Sequence, residues 1–473
     1  MFRSAIQALC PGFLAAVFLL FPAQASPPLL IANARLLDPV QGELSRPSSL
    51  LVAEGHIAAI GDDALTAEDT IVLDADGAVL VPGLTDMHVH IWDEAELGAY
   101  LSYGVTAVRN LSGMPFHLDM ARAVEAGELE GPHMSTSGPI LNGSGPNAQP
   151  NHQIVNTPAE ARASVRQQYR AGYRLLKVYS NLSRASYEAV REEAATLGMA
   201  IAGHPPEGVR QPGMPFERPF SIAFEELLDD DFATIEHVES IVWHAMRGRY
   251  DADSAPGLAR QLADARLVVT PTLLAFRNLV RVAETKGAYL HRPGTDMLNP
   301  VTQQLEAENQ ARWSQEDAVA ARRQYRQLAD MTRQMDEAGV RLVTGSDAGI
   351  FTNIPGASLI DELRLLDQAG IGADEILRIA TVNSGQANGA GLLAGRLLAG
   401  APADLVLLAS DPRDDWTVFG APRAVIVGGR LYDMDALARL RSAAARPDVA
   451  RTRANLSAGL RAQGIDPVEL LGQ

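Results

Sequence analysis

An alternation constrains this chain more than any other feature. From residue 84 to residue 347, short apolar runs alternate with longer amphipathic segments such as Pro158 to Gly172 and Ser183 to Gly198. The runs lie near 84–90, 104–110, 133–138, 174–180, 199–204, 232–238, 267–273 and 340–347. Parallel strands need crossover connections, and an amphipathic helix must bury its apolar stripe against the sheet. Eight strand–helix units in succession therefore predict an α/β fold of the (β/α)8 TIM-barrel kind. Two connections are long. Residues 111–132 are loop-rich. Residues 274–338 are polar and helical, with a charged helical pattern from Gln303 to Glu337. An insertion of that size after a seventh strand predicts a lid that covers the barrel mouth and supplies substrate contacts.

The flanks read differently. Leu50-Leu51-Val52-Ala53, Glu54-Gly55 and Ile57-Ala58-Ala59-Ile60 form a hairpin signal, and Ile71-Val72-Leu73 and Ala78-Val79-Leu80-Val81 continue it up to the Pro82-Gly83 break. After the barrel, Asp404 to Leu408 and Ala424 to Val427 lead through Gly428-Gly429 into Arg430-Leu431-Tyr432. The simplest assembly pairs late strands with early ones. It gives a small β-sandwich domain built from residues 26–82 and 395–435, a barrel over 83–394, and an Ala- and Arg-rich helical tail over 436–473.

The formal charge of −17 argues against a nucleic-acid partner, which needs clustered Lys and Arg. Residues 1–25 have the pattern of a secretory signal peptide: Arg3, an apolar stretch from Phe13 to Phe21, and a small-residue site at Ala23-Gln24-Ala25. The apolar stretch is short for a membrane span, so no stable membrane insertion is expected after cleavage. Leu9 before Cys10 does not suit a lipoprotein site, and Cys10 is the single cysteine. An exported chain with no disulfide framework suits a bacterial periplasm. Of the 40 basic residues only Lys177 and Lys286 are lysine. Arginine stays protonated, whereas lysine shifts its pKa when buried and so remains available for chemistry. Lys286 lies in a polar stretch and reads as solvated. Lys177 lies in the apolar run Leu175 to Tyr179.

His88 and His90 stand two apart in Asp86-Met87-His88-Val89-His90, so on a strand they face the same way. Two imidazoles at that spacing suit a divalent metal. Lys177, His204, His237 and Asp347 each close another predicted strand. They stand at the C-terminal ends, where TIM barrels carry their active sites. His152 and Tyr179 are weaker candidates for substrate contact. His152 lies on the loop after the third strand, and Tyr179 follows Lys177 by two. Glu236 neighbours His237 and by alternation should point away. His117, His133, His244 and His291 show no strand-end placement, and Trp92 either lines the pocket or packs.

Val81 to His90 resembles the first-strand motif of the amidohydrolase superfamily. Lys177, Gly203-His204, Glu236-His237 and Gly345-Ser346-Asp347-Ala348-Gly349 look like its fourth-, fifth-, sixth- and eighth-strand motifs. Ala403 to Leu407 resembles the strand that rejoins the small domain, although here it follows Ala399-Gly400-Ala401-Pro402 in place of the usual Gly-Lys pair. The likeness spans roughly residues 28–435. The lysine resembles that of the binuclear branch, with its imidazolonepropionase-like and prolidase-like members. The resemblance implies two divalent ions, with Zn2+ expected and Mn2+ or Co2+ as alternatives. It implies that His88, His90 and Asp347 hold the buried ion, that His204 and His237 hold the exposed one, and that Lys177, carboxylated by CO2, bridges both beside a hydroxide. Asp347 would then be both ligand and acid/base in cleavage of an amide C–N bond, in a dipeptide or a cyclic amide. Two other readings stay open: a mononuclear deaminase on the same barrel, and a non-catalytic exported metal- or ligand-binding protein. The partner expected is a small-molecule substrate; a homo-oligomer also stays open.

Overall fold

The structure is a computed structural model that describes residues 27–64, 68–209 and 218–471. The expected signal segment lies outside them. Among the described residues no helix is long and apolar enough to cross a membrane.

The barrel strands are Leu84–Val89, Val105–Asn110, His133–Thr136, Leu175–Val178, Ala200–Gly203, Thr234–Glu236, Val268–Thr270 and Arg341–Leu342, all parallel to their barrel neighbours. The third position is shared. His133–Thr136 pairs with the second strand, and Ile140–Asn142 pairs with the fourth. The handover is a single step: Ser137 N donates to Asn110 O and Gly138 N to Leu175 O, both at 2.9 Å. A side chain at 138 would put its Cβ 2.0 Å from Gln168 Oε1, so a larger residue there would displace the Gln168 amide. Closure runs through Met87 N to Thr344 O at 2.9 Å and His90 N to Ala348 O at 2.8 Å. The eighth strand is regular only over two residues, not to 347. Beyond it the backbone is held by Asp86, whose carboxylate accepts from Ser346 N at 2.9 Å and Ser346 Oγ at 2.5 Å.

The segment 274–338 is not one lid. Helices Leu273–Glu284, Pro300–Leu305 and Ala307–Trp313 contribute to the wall of the cavity at the barrel mouth. Ala318–Glu337 is instead an outer barrel helix. Leu328, Met331, Thr332 and Met335 recur at helical spacing and are buried, the first, second and fourth in the barrel core. Its many exposed charges masked that narrow stripe.

The small domain is one hydrogen-bonded sheet from both chain regions. Its order is Arg430–Asp433, Ala424–Val427, Leu405–Leu408, Val79–Pro82, Leu29–Leu37, Leu44–Ala53 and His56–Ile60, with Ile71–Asp74 also pairing to Leu29–Leu37. It curls until its far edge meets residues 401–403, where Ile57 N donates to Ala401 O and Ala403 N to Gly55 O, each at 2.8 Å. Alternation sorts its side chains. Leu80, Leu405, Leu407 and Ile426 fill the core inside the curl, while Val79, Val81, Val406 and Val425 join the barrel core. Burial on both faces couples sheet and barrel. The tail is helical over Met434–Ala444, Val449–Ala462 and Pro467–Leu471. Arg451 clamps it to the barrel through two 2.8 Å bonds to Asp93.

Candidate active site

His88 and His90 project together from the first strand, with ring centroids 5.4 Å apart. His88 Nε2 lies 3.3 Å and His90 Nε2 3.0 Å from the same Asp347 oxygen. Further ring contacts continue from His88 to His237 at 4.6 Å, His237 to His204 at 4.6 Å, His204 to Tyr179 at 3.9 Å, and Tyr179 to His152 at 4.8 Å. Lys177 shares their cavity and is 1% exposed. All eight residues singled out from the sequence thus line one cavity of about 600 Å3. Trp92 does both things open to it: it lines the cavity and donates from Nε1 to Gly349 O at 3.0 Å.

Two of these side chains arrive by backbone turns. His237 has φ +67° and Asp347 φ +54°, as does Thr272 at φ +50°. Non-glycine residues adopt this left-handed region only when their surroundings hold them there. The turn at His237 also corrects the reading of Glu236. The strand ends at Glu236, whose side chain points inward to a place behind His88, and the positive φ brings His237 to the cavity as well. Glu236 Oε2 accepts from His88 Nδ1 at 2.7 Å, and Oε1 accepts from Arg109 Nη2 at 2.8 Å. Strict alternation concealed Glu236. Arg109, an arginine in the apolar run of the second strand, was the visible sign of a buried counter-ion.

These partners set the tautomers. Paired to Arg109, Glu236 is a carboxylate, so His88 carries its proton on Nδ1 and turns an Nε2 lone pair toward Asp347. Thr272 Oγ1 donates to Pro271 O at 2.8 Å and therefore accepts from His237 Nδ1 at 2.5 Å, leaving the His237 Nε2 lone pair free. His152 Nδ1 accepts from Gln149 N at 3.2 Å, which puts its proton on Nε2. Burial drives His88, His204, His237 and His152 to the neutral form, the last two pushed down to about 3. Burial also lowers Lys177 to about 8, against the opposing pull of Glu236 and Asp347. Burial alone would raise Asp347; the His90 hydrogen bond and the nearby Lys177 charge outweigh it and hold the carboxyl below its usual value.

This arrangement fits divalent cations. Ligand atoms of His88, His90 and Asp347 lie within 4.8 Å of one another. An imidazole lone pair facing a carboxylate oxygen at 3.3 Å is repulsive unless a cation stands between them. Lys177 Nζ and His204 Nδ1 are buried with no hydrogen-bond partner, a costly condition that a bound group would relieve. Glu236, Ser112 and Thr272 give His88, His90 and His237 the outer hydrogen bonds that metal-binding imidazoles need. The remaining histidines lie elsewhere. His117 is buried and bonds Ile91 O, His244 bonds Ile222 O, His133 opens the third strand and pairs with Asp404, and His291 is exposed.

The amidohydrolase family profile matches residues 79–432, and the chain belongs to that family of metal-dependent hydrolases. Among solved structures, bottromycin amidohydrolase superposes with a TM-score of 0.69 at 24% identity, covering 94% of this chain and 92% of that one. A Xaa-Pro dipeptidase with bound methionine gives 0.64 at 20% identity, covering 86% and 100%. Both likenesses concern the fold. Dihydroorotase from Citrifermentans bemidjiense is 40% identical over 65 residues, 14% of this chain and 15% of the dihydroorotase. The match thus spans a small part of that enzyme.

Proposed function

We propose that this hydrolase cleaves an amide C–N bond in a small substrate, a dipeptide or a cyclic amide, with two divalent ions, Zn2+ before Mn2+ or Co2+. His88, His90 and Asp347 would hold one ion, His204 and His237 the other, and Lys177 would bridge them as a carbamate. The observation that carries this reading is the Lys177 amine, buried without a partner beside those five donors. With a pKa of about 8, about a tenth of the amine is free base at pH 7, far more than for an ordinary lysine. That free amine can attack CO2, forming an N–C bond and releasing one proton, and the resulting anion suits a place between two cations. Divalent ions held there would supply an acidified water and polarise the substrate carbonyl. The chain's own residues do the rest. Asp347 accepts the proton of the attacking water and delivers it to the leaving nitrogen. His152 offers its Nε2 proton to the carbonyl oxygen, where negative charge develops. Tyr179 packs between His152 and His204 and fixes both rings. Amide-directed chemistry in the named relatives, a dipeptidase and an amidohydrolase, supports the bond class. The sequence of residues 1–25 supports export to a periplasm.

The test is metal removal and return. Chelation should abolish hydrolysis of a panel of dipeptides and cyclic amides, and Zn2+, Co2+ or Mn2+ should restore it at two ions per chain. A fully active preparation with at most one ion per chain would refute the binuclear reading.

A further inference from the structure

Three charged side chains in the cavity wall, Glu239, Glu306 and Arg312, have no part in the chemistry above, and of these Glu306 is the one with a buried oxygen that lacks a partner. Glu306 joins two short helices, Pro300–Leu305 and Ala307–Trp313, at the bend where one ends and the next begins. Its Oε1 accepts a long 3.4 Å bond from Phe351 N, while Oε2 is shut off from solvent and has no partner. Among the described residues it makes no ion pair. It does not belong to the His88, His90 and Asp347 cluster.

The placement is well held. Asn299 caps the first helix through Val301 N at 3.0 Å, and its amide reaches Glu96 at 3.2 Å and Thr452 at 3.0 Å. Gln310 bonds Gln303 at 2.8 Å across the bend. The same cavity wall carries Phe276, Leu279, Trp313, Ile350 and Phe351 beside the polar Asn309 and Arg312. Trp313 and Phe351 stand 5.4 Å apart. Burial raises this carboxyl to about 7, so its ionised form lacks compensation within the chain.

A neutral N–H could satisfy one oxygen but would leave the charge unbalanced. A cationic donor satisfies both, and the aromatic faces favour it further. We infer that Glu306 binds an ammonium group of the substrate, so that the pocket selects dipeptides or aminoacyl amides with a free amino group over N-acylated amides and cyclic amides. This rests on the hydrolase reading above and narrows it.

The experiment uses the metal-loaded enzyme at pH 8, where Glu306 is ionised, and dipeptides each paired with its N-acetyl twin. The free-amine to N-acetyl ratio of kcat/KM should be roughly 10- to 100-fold in the parent and should collapse toward unity in Glu306→Gln. Glu306→Asp, which keeps the charge, should keep most of the preference. A second arm needs no turnover: calorimetry should show phenethylamine binding at least about 10-fold more weakly, relative to N-acetylphenethylamine, in Glu306→Gln than in the parent. Equal ratios in parent and Gln variant, or a parent that prefers the N-acetyl twins, would overturn the inference. If no amide were hydrolysed and amine binding still depended on Glu306, the hydrolase reading would fall and this one would stand.

Discussion

Lys177→Met should make the metal-free protein more stable while destroying its function. Methionine keeps an unbranched chain of similar length and removes the amine. Lys177 is 1% exposed, and burial lowers its pKa from 10.5 to about 8. At about 1.4 kcal/mol per pH unit, holding that proton in the folded state costs about 3 kcal/mol. Below pH 8 the folded and unfolded states both carry the proton, so the full cost applies. Between pH 8 and 10.5 the folded state has released it and the cost falls away. Measured in excess chelator, the Met variant should therefore melt higher than the parent at pH 7, and the gap should close as pH approaches 10.5. With divalent ions the order should reverse, because ions that bind only the native parent stabilise it by mass action. Activity should be absent from the variant under every condition. The reasoning fails if the chelated Met variant is no more stable at pH 7, or if its advantage persists undiminished near pH 10.5.

Two further substitutions separate the roles around the cluster. Asp347→Asn keeps size and an oxygen while losing the proton acceptor, so kcat should fall on the order of 10²-fold or more with the fold intact by circular dichroism; near-normal kcat would mean that the proton route is misassigned. Glu236→Gln leaves Arg109 buried without its counter-ion and weakens the hold on His88. It should cost about 3–5 kcal/mol of stability and roughly 10- to 100-fold in metal affinity, read by melting and by chelator competition. Unchanged affinity would show that His88 does not depend on Glu236 for its orientation.

Much of this was legible in the sequence because a barrel writes its inner residues at strand ends. His88, His90, Lys177, His204, His237 and Asp347 each close an apolar run, and all line the cavity. What alternation could not show was the departure from it. The positive φ of His237 lets two consecutive residues serve the same site, and that of Asp347 follows a strand regular for only two residues. Thr272 and Asp86 act through contacts between distant strands, for which no local pattern exists. The 274–338 segment misled for another reason: a surface helix with a stripe of four buried residues resembles a wholly exposed one when average polarity is read before periodicity.

The curled sheet has a consequence for how the protein is made. Val81 pairs with Val406, about 325 residues later, and Leu405–Leu408 then carries the last two strands. During synthesis the early strands therefore wait, with one edge unpaired, until nearly the whole barrel has emerged. An open edge is a template for aggregation, so this interval is the vulnerable one. The same topology works as a completeness check. A chain interrupted anywhere before residue 405 leaves Val79–Pro82 with an unpaired edge and so presents quality control with a recognisable substrate.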